Sequence, residues 1–122
     1  ERARATASLF RCAPHRGTEL AVVRLERHPS STQMFAPLSG GRYLVVVALG
    51  GDAPRLETLA AFVVEGACAI TYAPGTWHHP MVALDTPIDF VNLIFSDGTE
   101  GDCDEHELSA PNPPVVRYPP PR

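Results

Sequence analysis

The sequence predicts an all-β domain, an antiparallel sandwich or barrel with at most short helices, on three observations. Strand-length apolar runs recur at 20–26, 43–49, 59–64, 68–72, 77–84 and 88–95. Turn formers separate them: Ser39-Gly40-Gly41, Gly50-Gly51-Asp52-Ala53-Pro54, Glu65-Gly66, Ala73-Pro74-Gly75 and Asp85-Thr86-Pro87. No long segment keeps a helical period, and the one helical candidate, 55–61, is too short to stand alone.

Taken in order, residues 1–18 carry mixed charge and little periodicity beyond Leu9-Phe10, and are expected to form an N-terminal arm or strand remnant. Residues 19–108 hold the recurrent strands and are expected to form the barrel domain. The run 43–49 is apolar throughout, which predicts a central strand covered on both faces. Beyond Ser96 the composition turns acidic and small, and 109–122 is expected to be a proline-rich tail lying over the barrel or dangling. Pro119-Pro120-Pro121 is extended and cannot add to a sheet. No internal repeat is evident.

Composition excludes several function classes. A chain of 122 residues is enough for one domain. Its net charge of −4 and pI near 5.7 supply no basic face with which to displace counterions from phosphate, so nucleic acid is not an expected partner. No apolar run approaches the ~20 residues that cross a bilayer, so neither is a membrane. The ten basic residues are all arginine, which excludes Schiff-base chemistry, a P-loop and a lysine base. No Gly-x-Ser-x-Gly elbow is present. Cys12, Cys68 and Cys103 are odd in number and widely spaced, which is no disulfide or zinc framework and points to a reducing, cytoplasmic setting. The first residue is Glu, so the chain reads as a trimmed or incomplete product.

Three of the five histidines fall in two clusters beside prolines at strand ends. The first is Glu26-Arg27-His28-Pro29, followed by Gln33; the second is Gly75-Thr76-Trp77-His78-His79-Pro80. Adjacent strand residues point to opposite faces, so one of His78 and His79 is expected to enter a pocket. Trp77 is the kind of ring that more often fills a core than forms a binding platform. His15 and His106 lie in polar, irregular stretches and are expected to be solvated. Gly66, then Pro74-Gly75 and His78, approximates the second cupin motif, in which a tight turn delivers a histidine into the barrel mouth. Glu26, His28 and Gln33 would be a degenerate first motif without its usual His-x-His. This resemblance implies a double-stranded β-helix of the jelly-roll type.

The same blocks resemble the ureidoglycolate lyase family, formerly called ureidoglycolate hydrolase. The resemblance runs from Glu26-Arg27-His28-Pro29 and Gln33-Met34-Phe35-Ala36-Pro37-Leu38 through Tyr43-Leu44-Val45-Val46-Val47-Ala48, Pro54 and Ala61-Phe62. It continues with Tyr72, the 75–80 block, Asp89-Phe90, and Cys103 with Glu105, so it covers about 20–108. There are departures: members normally carry an additional N-terminal segment that this sequence is expected to lack, Asn92-Leu93-Ile94-Phe95-Ser96 stands where an Asp-Arg pair commonly follows the Asp-Phe strand, and Asp102 stands where Asn is usual before the late Cys. The resemblance implies a homodimeric, cupin-like carbon–nitrogen lyase that splits ureidoglycolate into glyoxylate and urea in purine breakdown, and some members use nickel.

That chemistry suits these residues. Removing the hydroxyl proton of ureidoglycolate collapses its central carbon to an aldehyde and expels urea, with no nucleophile or redox cofactor. His78, or His28, is the candidate base, with Tyr72 as a further catalytic group. Arg27 is the candidate carboxylate anchor, because guanidinium binds carboxylate bidentately. Gln33, His79 and Trp77 complete the expected substrate contacts. The sequence requires no cofactor; if a divalent metal is used, Glu26, His28 and His78 are its candidate ligands. A second hypothesis is a catalytically impaired or regulatory domain that binds a small carboxylic acid. A third, a cupin dioxygenase or isomerase, lacks the regular His-x-His-x-Glu set.

Overall fold

A computed structural model describes residues 4–96, 100–108 and 111–121. Twelve strands are present among them: β1 Arg4–Cys12, β2 Glu19–Ala21, β3 Arg24–Arg27, β4 Gln33–Pro37, β5 Arg42–Ala48, β6 Ala60–Glu65, β7 Ile70–Tyr72, β8 Trp77–His78, β9 Val82–Ala83, β10 Ile88–Ser96, β11 Asp104–Glu107 and β12 Val115–Arg117. They form one sheet in the order β1-β10-β4-β7, a second in the order β11-β3-β8-β5-β6 with β9 also on β5, and a β12-β2 ribbon. The helical candidate at 55–61 is a single 3₁₀ turn, Leu56–Thr58, and its last two residues already belong to β6. Among the described residues no helix is long and apolar enough to cross a membrane.

Two apolar clusters flank β5, as its unbroken hydrophobic run predicts. Tyr43 and Val45 face the first sheet and pack with Phe35, Tyr72, Ile88 and Phe90, filling the space between the sheets. Leu44, Val46 and Ala48 face the other way, onto Leu20, Leu25, Trp77, Leu108 and Tyr118. This outer face is covered by the β12-β2 ribbon and the chain beyond it: Val116 packs against the cluster, and Tyr118 donates its hydroxyl to Gly17 O at 2.9 Å. The sequence run 20–26 is two strands, β2 and β3, and 77–84 is likewise β8 and β9, because Pro80 interrupts the ladder.

Residues 4–12 pair with β10 along their whole length, from Arg4↔Ser96 to Cys12↔Ile88. This strand lies at the sheet edge and is exposed along nearly its whole length, with Leu9 62% and Phe10 46% exposed.

One ion pair ties three segments. Arg42 donates through Nε and an NH group to both oxygens of Asp85, at 2.7 and 2.8 Å, and through its other NH group to Pro119 O at 2.9 Å. The hydrogen bonds from Arg42 hold the Asp85 carboxyl below its ordinary 3.8. A depressed folded-state pKa stabilises fully above the unfolded value and is lost as pH falls through the folded one. Asp85→Asn is therefore expected to lower the melting temperature near pH 7 and to flatten its decline below about pH 4, read from melts across that range.

Candidate functional site

The site is built where two turns meet. His28 follows the end of β3, and the Pro74-Gly75 turn leads into β8, with Gly75 at φ +80°, a conformation that favours glycine. Gly75 N–H donates to His28 O at 3.0 Å, stitching the turns together. His78 pairs with Glu26 of β3 and Val47 of β5, so the period of two that sends Trp77 outward sends His78 inward with Glu26.

Each imidazole is oriented by a carbonyl. His28 Nδ1 lies 3.0 Å from Asp102 O, and His78 Nδ1 lies 3.0 Å from Thr76 O. A carbonyl only accepts, so in the neutral rings the proton sits on Nδ1 and a lone pair on Nε2. Both Nε2 atoms are buried without a hydrogen-bond partner. Glu26 Oε1 stands 3.5 Å from His78 Nε2, an electrostatic contact longer than a good hydrogen bond. The imidazole of His78 nevertheless holds the Glu26 carboxyl below its usual range, against burial, and the charges of His28 and Arg24 add to the effect.

One ligand atom from each of Glu26, His28 and His78 lies within 4.8 Å of the others. Three lone-pair donors converge there, and none has a good hydrogen bond to another. That donor set, with two orphaned imidazole nitrogens, fits a divalent metal ion. The two carbonyls fix both rings as outer-shell partners do in metal sites.

Tyr72 and Gln33 form the wall. The Tyr72 ring stacks on His78 with centroids 4.2 Å apart and 11° between planes. Burial pushes the Tyr72 hydroxyl far up, so it remains a donor, here directed to Met81 Sδ at 3.9 Å. Gln33, opposite Tyr72 in register, donates to Asn92 Oδ1 at 2.9 Å, and Asn92 donates to Ser8 Oγ at 3.1 Å. Gln33 Oε1 is buried without a partner.

The structure gathers Glu26, His28, Gln33, Tyr72 and His78, but not Arg27 and Trp77. Those two lie on the opposite face of the second sheet, with the Arg27 guanidinium 5.0 Å from the Trp77 ring centroid. Arg27 is engaged there by Asp104 at 2.8 Å and by Gly51 O, which also accepts from Trp77 Nε1 at 3.1 Å. His79 lines a separate cavity with Val23, Arg24, Pro80 and Glu107. Burial lowers its pKa, and its Nδ1 lies 2.7 Å from Pro80 O. Neither remaining histidine belongs to the cluster: His15 Nε2 meets Glu19 O at 2.8 Å, and His106 packs edge-on against Trp77.

Sequence reasoning missed Asp102. Besides its carbonyl on His28, its buried carboxylate accepts from Ser30 N–H at 2.7 Å and from the Ser31 hydroxyl, which also meets Phe95 O. No local signal joins Asp102 to a turn more than seventy residues earlier.

The sequence family described as ureidoglycolate lyase matches residues 1–114. The ureidoglycolate lyase of Burkholderia cepacia is 42% identical over 102 residues, covering 83% of this chain and 56% of that protein. That of Pseudomonas fluorescens strain SBW25 is 45% identical over 87 residues, covering 71% and 52%. The chain thus spans about half the length of the curated relatives it matches. Among solved structures, a dTDP sugar isomerase from Desulfovibrio desulfuricans G20 aligns over 91% of this chain and 68% of its own, with TM-score 0.61 and 22% identity. RmlC from Streptococcus suis aligns over 82% of this chain and 47% of its own, with TM-score 0.53 and 11% identity. At such identities the likeness shows the fold alone, a cupin-like jelly roll.

Proposed function

The chain belongs to the ureidoglycolate lyase family, and on that premise we propose that it cleaves ureidoglycolate to glyoxylate and urea. The observation that carries this reading is the convergence of Glu26, His28 and His78 on one point in the barrel. In the reaction the hydroxyl proton leaves, the central carbon–oxygen bond becomes a carbonyl, and the carbon–nitrogen bond breaks. Its electron pair goes to the ureido nitrogen, which takes up a proton as urea departs.

Glu26, His28 and His78 would hold a divalent metal, nickel by family resemblance. Such an ion supplies Lewis acidity toward the oxygens of an α-hydroxy acid. The remaining work falls to the chain's own groups. Were both Nε2 lone pairs given to such an ion, the Glu26 carboxylate would accept the hydroxyl proton; otherwise His78 Nε2 would take that role. Tyr72, kept protonated by burial, is the donor toward the departing ureido group. Gln33 Oε1 is available to accept a ureido N–H.

A homodimer in the cytoplasm fits the same reading. The open edge of β1, with Leu9 and Phe10 exposed, is a strand that proteins ordinarily cover, and the three cysteines are free thiols.

The test is urea release from ureidoglycolate by this chain, with and without added nickel. Turnover above the spontaneous rate supports the lyase. A folded protein that binds glyoxylate without turnover would replace it with a binding domain for small acids.

A further inference from the structure

The reaction needs an anchor for the substrate carboxylate, and Arg27, the residue that sequence pattern favours, lies on the wrong face. Along β3 the side chains alternate: Leu25 and Arg27 face the Trp77 cluster, while Arg24 and Glu26 share the other side. Two residues of strand separate Arg24 from Glu26, roughly 7 Å along the backbone, about the reach of a small hydroxy acid.

Arg24 is also uncommitted. Its guanidinium makes no hydrogen bond and no ion pair among the described residues, whereas that of Arg27 is engaged by Asp104 and Gly51. Its natural cross-strand partner would be Glu107, directly opposite in register, yet no ion pair closes between them. Both instead line a cavity of about 360 Å³ with Val23, His79 and Pro80, a volume suited to a small ligand.

We propose that Arg24, on the Glu26 side of β3, is the carboxylate anchor, and that the cavity it lines with His79 and Glu107 is an anion subsite neighbouring the metal-ligand cluster. This rests on the lyase reading for the identity of the substrate, but not for the existence of an anion subsite. The guanidinium offers two parallel N–H donors to the carboxylate. Glu107 across the cavity disfavours a second anionic group and can accept N–H donors from the rest of the ligand.

Glyoxylate is the probe, because it carries the carboxylate and its binding is read by calorimetry without turnover. Arg24→Gln is expected to weaken glyoxylate by about 10- to 100-fold, as loss of a charge-assisted hydrogen bond does, while nickel affinity stays within about twofold. Arg24→Lys keeps the charge but not the fork and is expected to fall between. Arg117→Gln, which removes the guanidinium paired with Glu19 on the β12-β2 ribbon, controls for net charge and is expected to leave glyoxylate affinity unchanged. Unchanged glyoxylate affinity in Arg24→Gln overturns the proposal, as does a loss matched by Arg117→Gln. Binding by a chain that releases no urea would leave the anchor standing and sink only the activity.

Discussion

Nickel is expected to raise the melting temperature of the wild-type chain and to leave that of His78→Phe unchanged. Two buried imidazole nitrogens without partners each carry an unrecovered desolvation penalty of about 1–3 kcal/mol. A ligand bound only by the folded state adds about 2.7 kcal/mol at a hundred times its dissociation constant. Phenylalanine keeps a ring against Tyr72 and removes one orphan while giving up the Nδ1–H bond to Thr76 O, so the two changes offset and metal-free His78→Phe should melt close to metal-free wild type. Its nickel affinity should fall by about 100-fold or more, since even outer-shell losses cost 10–100-fold. Calorimetric titration with paired melts checks both parts. Equal nickel stabilisation of the two proteins would place the metal elsewhere.

The second large effect is expected at Asp102, which touches no ligand atom of the cluster. Its carboxylate holds the Ser30–Ser31 turn, and its own carbonyl receives the His28 Nδ1–H. Asp102→Ala frees that turn and is expected to weaken nickel binding by about 10- to 100-fold. It should also destabilise the fold by about 1–3 kcal/mol, as buried donors lose their acceptor. Asp102→Asn separates positioning from charge. The amide oxygen can still accept from Ser30, and its NH₂ can donate to Ser31, whose hydroxyl then donates to Phe95 O. Nickel affinity in Asp102→Asn is therefore expected to return to within about threefold of wild type. A loss as large as in Asp102→Ala would show that the negative charge, rather than the clasp, is what His28 requires. The family resemblance, which puts Asn at this position, agrees with rescue.

Much of the fold was legible because β-strands write a short period. The apolar run of β5 announced burial on both faces, and the two clusters on either side of it occupy those faces. The strands that sequence reading left unassigned, β4, β11 and β12, lack a complete apolar stripe. In β11, Asp-Glu-His-Glu forms a strand only because its residues pair one by one with Arg24–Arg27, Asp104 meeting Arg27 as an ion pair. A sequence window cannot register a partner that lies nearly eighty residues away.

The site divides along the same line. Residue chemistry within short windows singles out Glu26, His28, Gln33, Tyr72 and His78, because strand-end histidines beside prolines and a Pro-Gly turn are local features. Those windows also selected Arg27 and Trp77, which have the right chemistry on the wrong side of a sheet. By itself the sequence determined the all-β class, the two histidine turns and the exclusion of lysine chemistry. Only the tertiary structure decided which face each side chain serves, how Asp102 holds His28, and that two imidazole nitrogens and a carboxylate meet without partners. The physical reason is that composition and spacing act along the chain, whereas facing and hydrogen-bond satisfaction depend on register between segments distant in sequence.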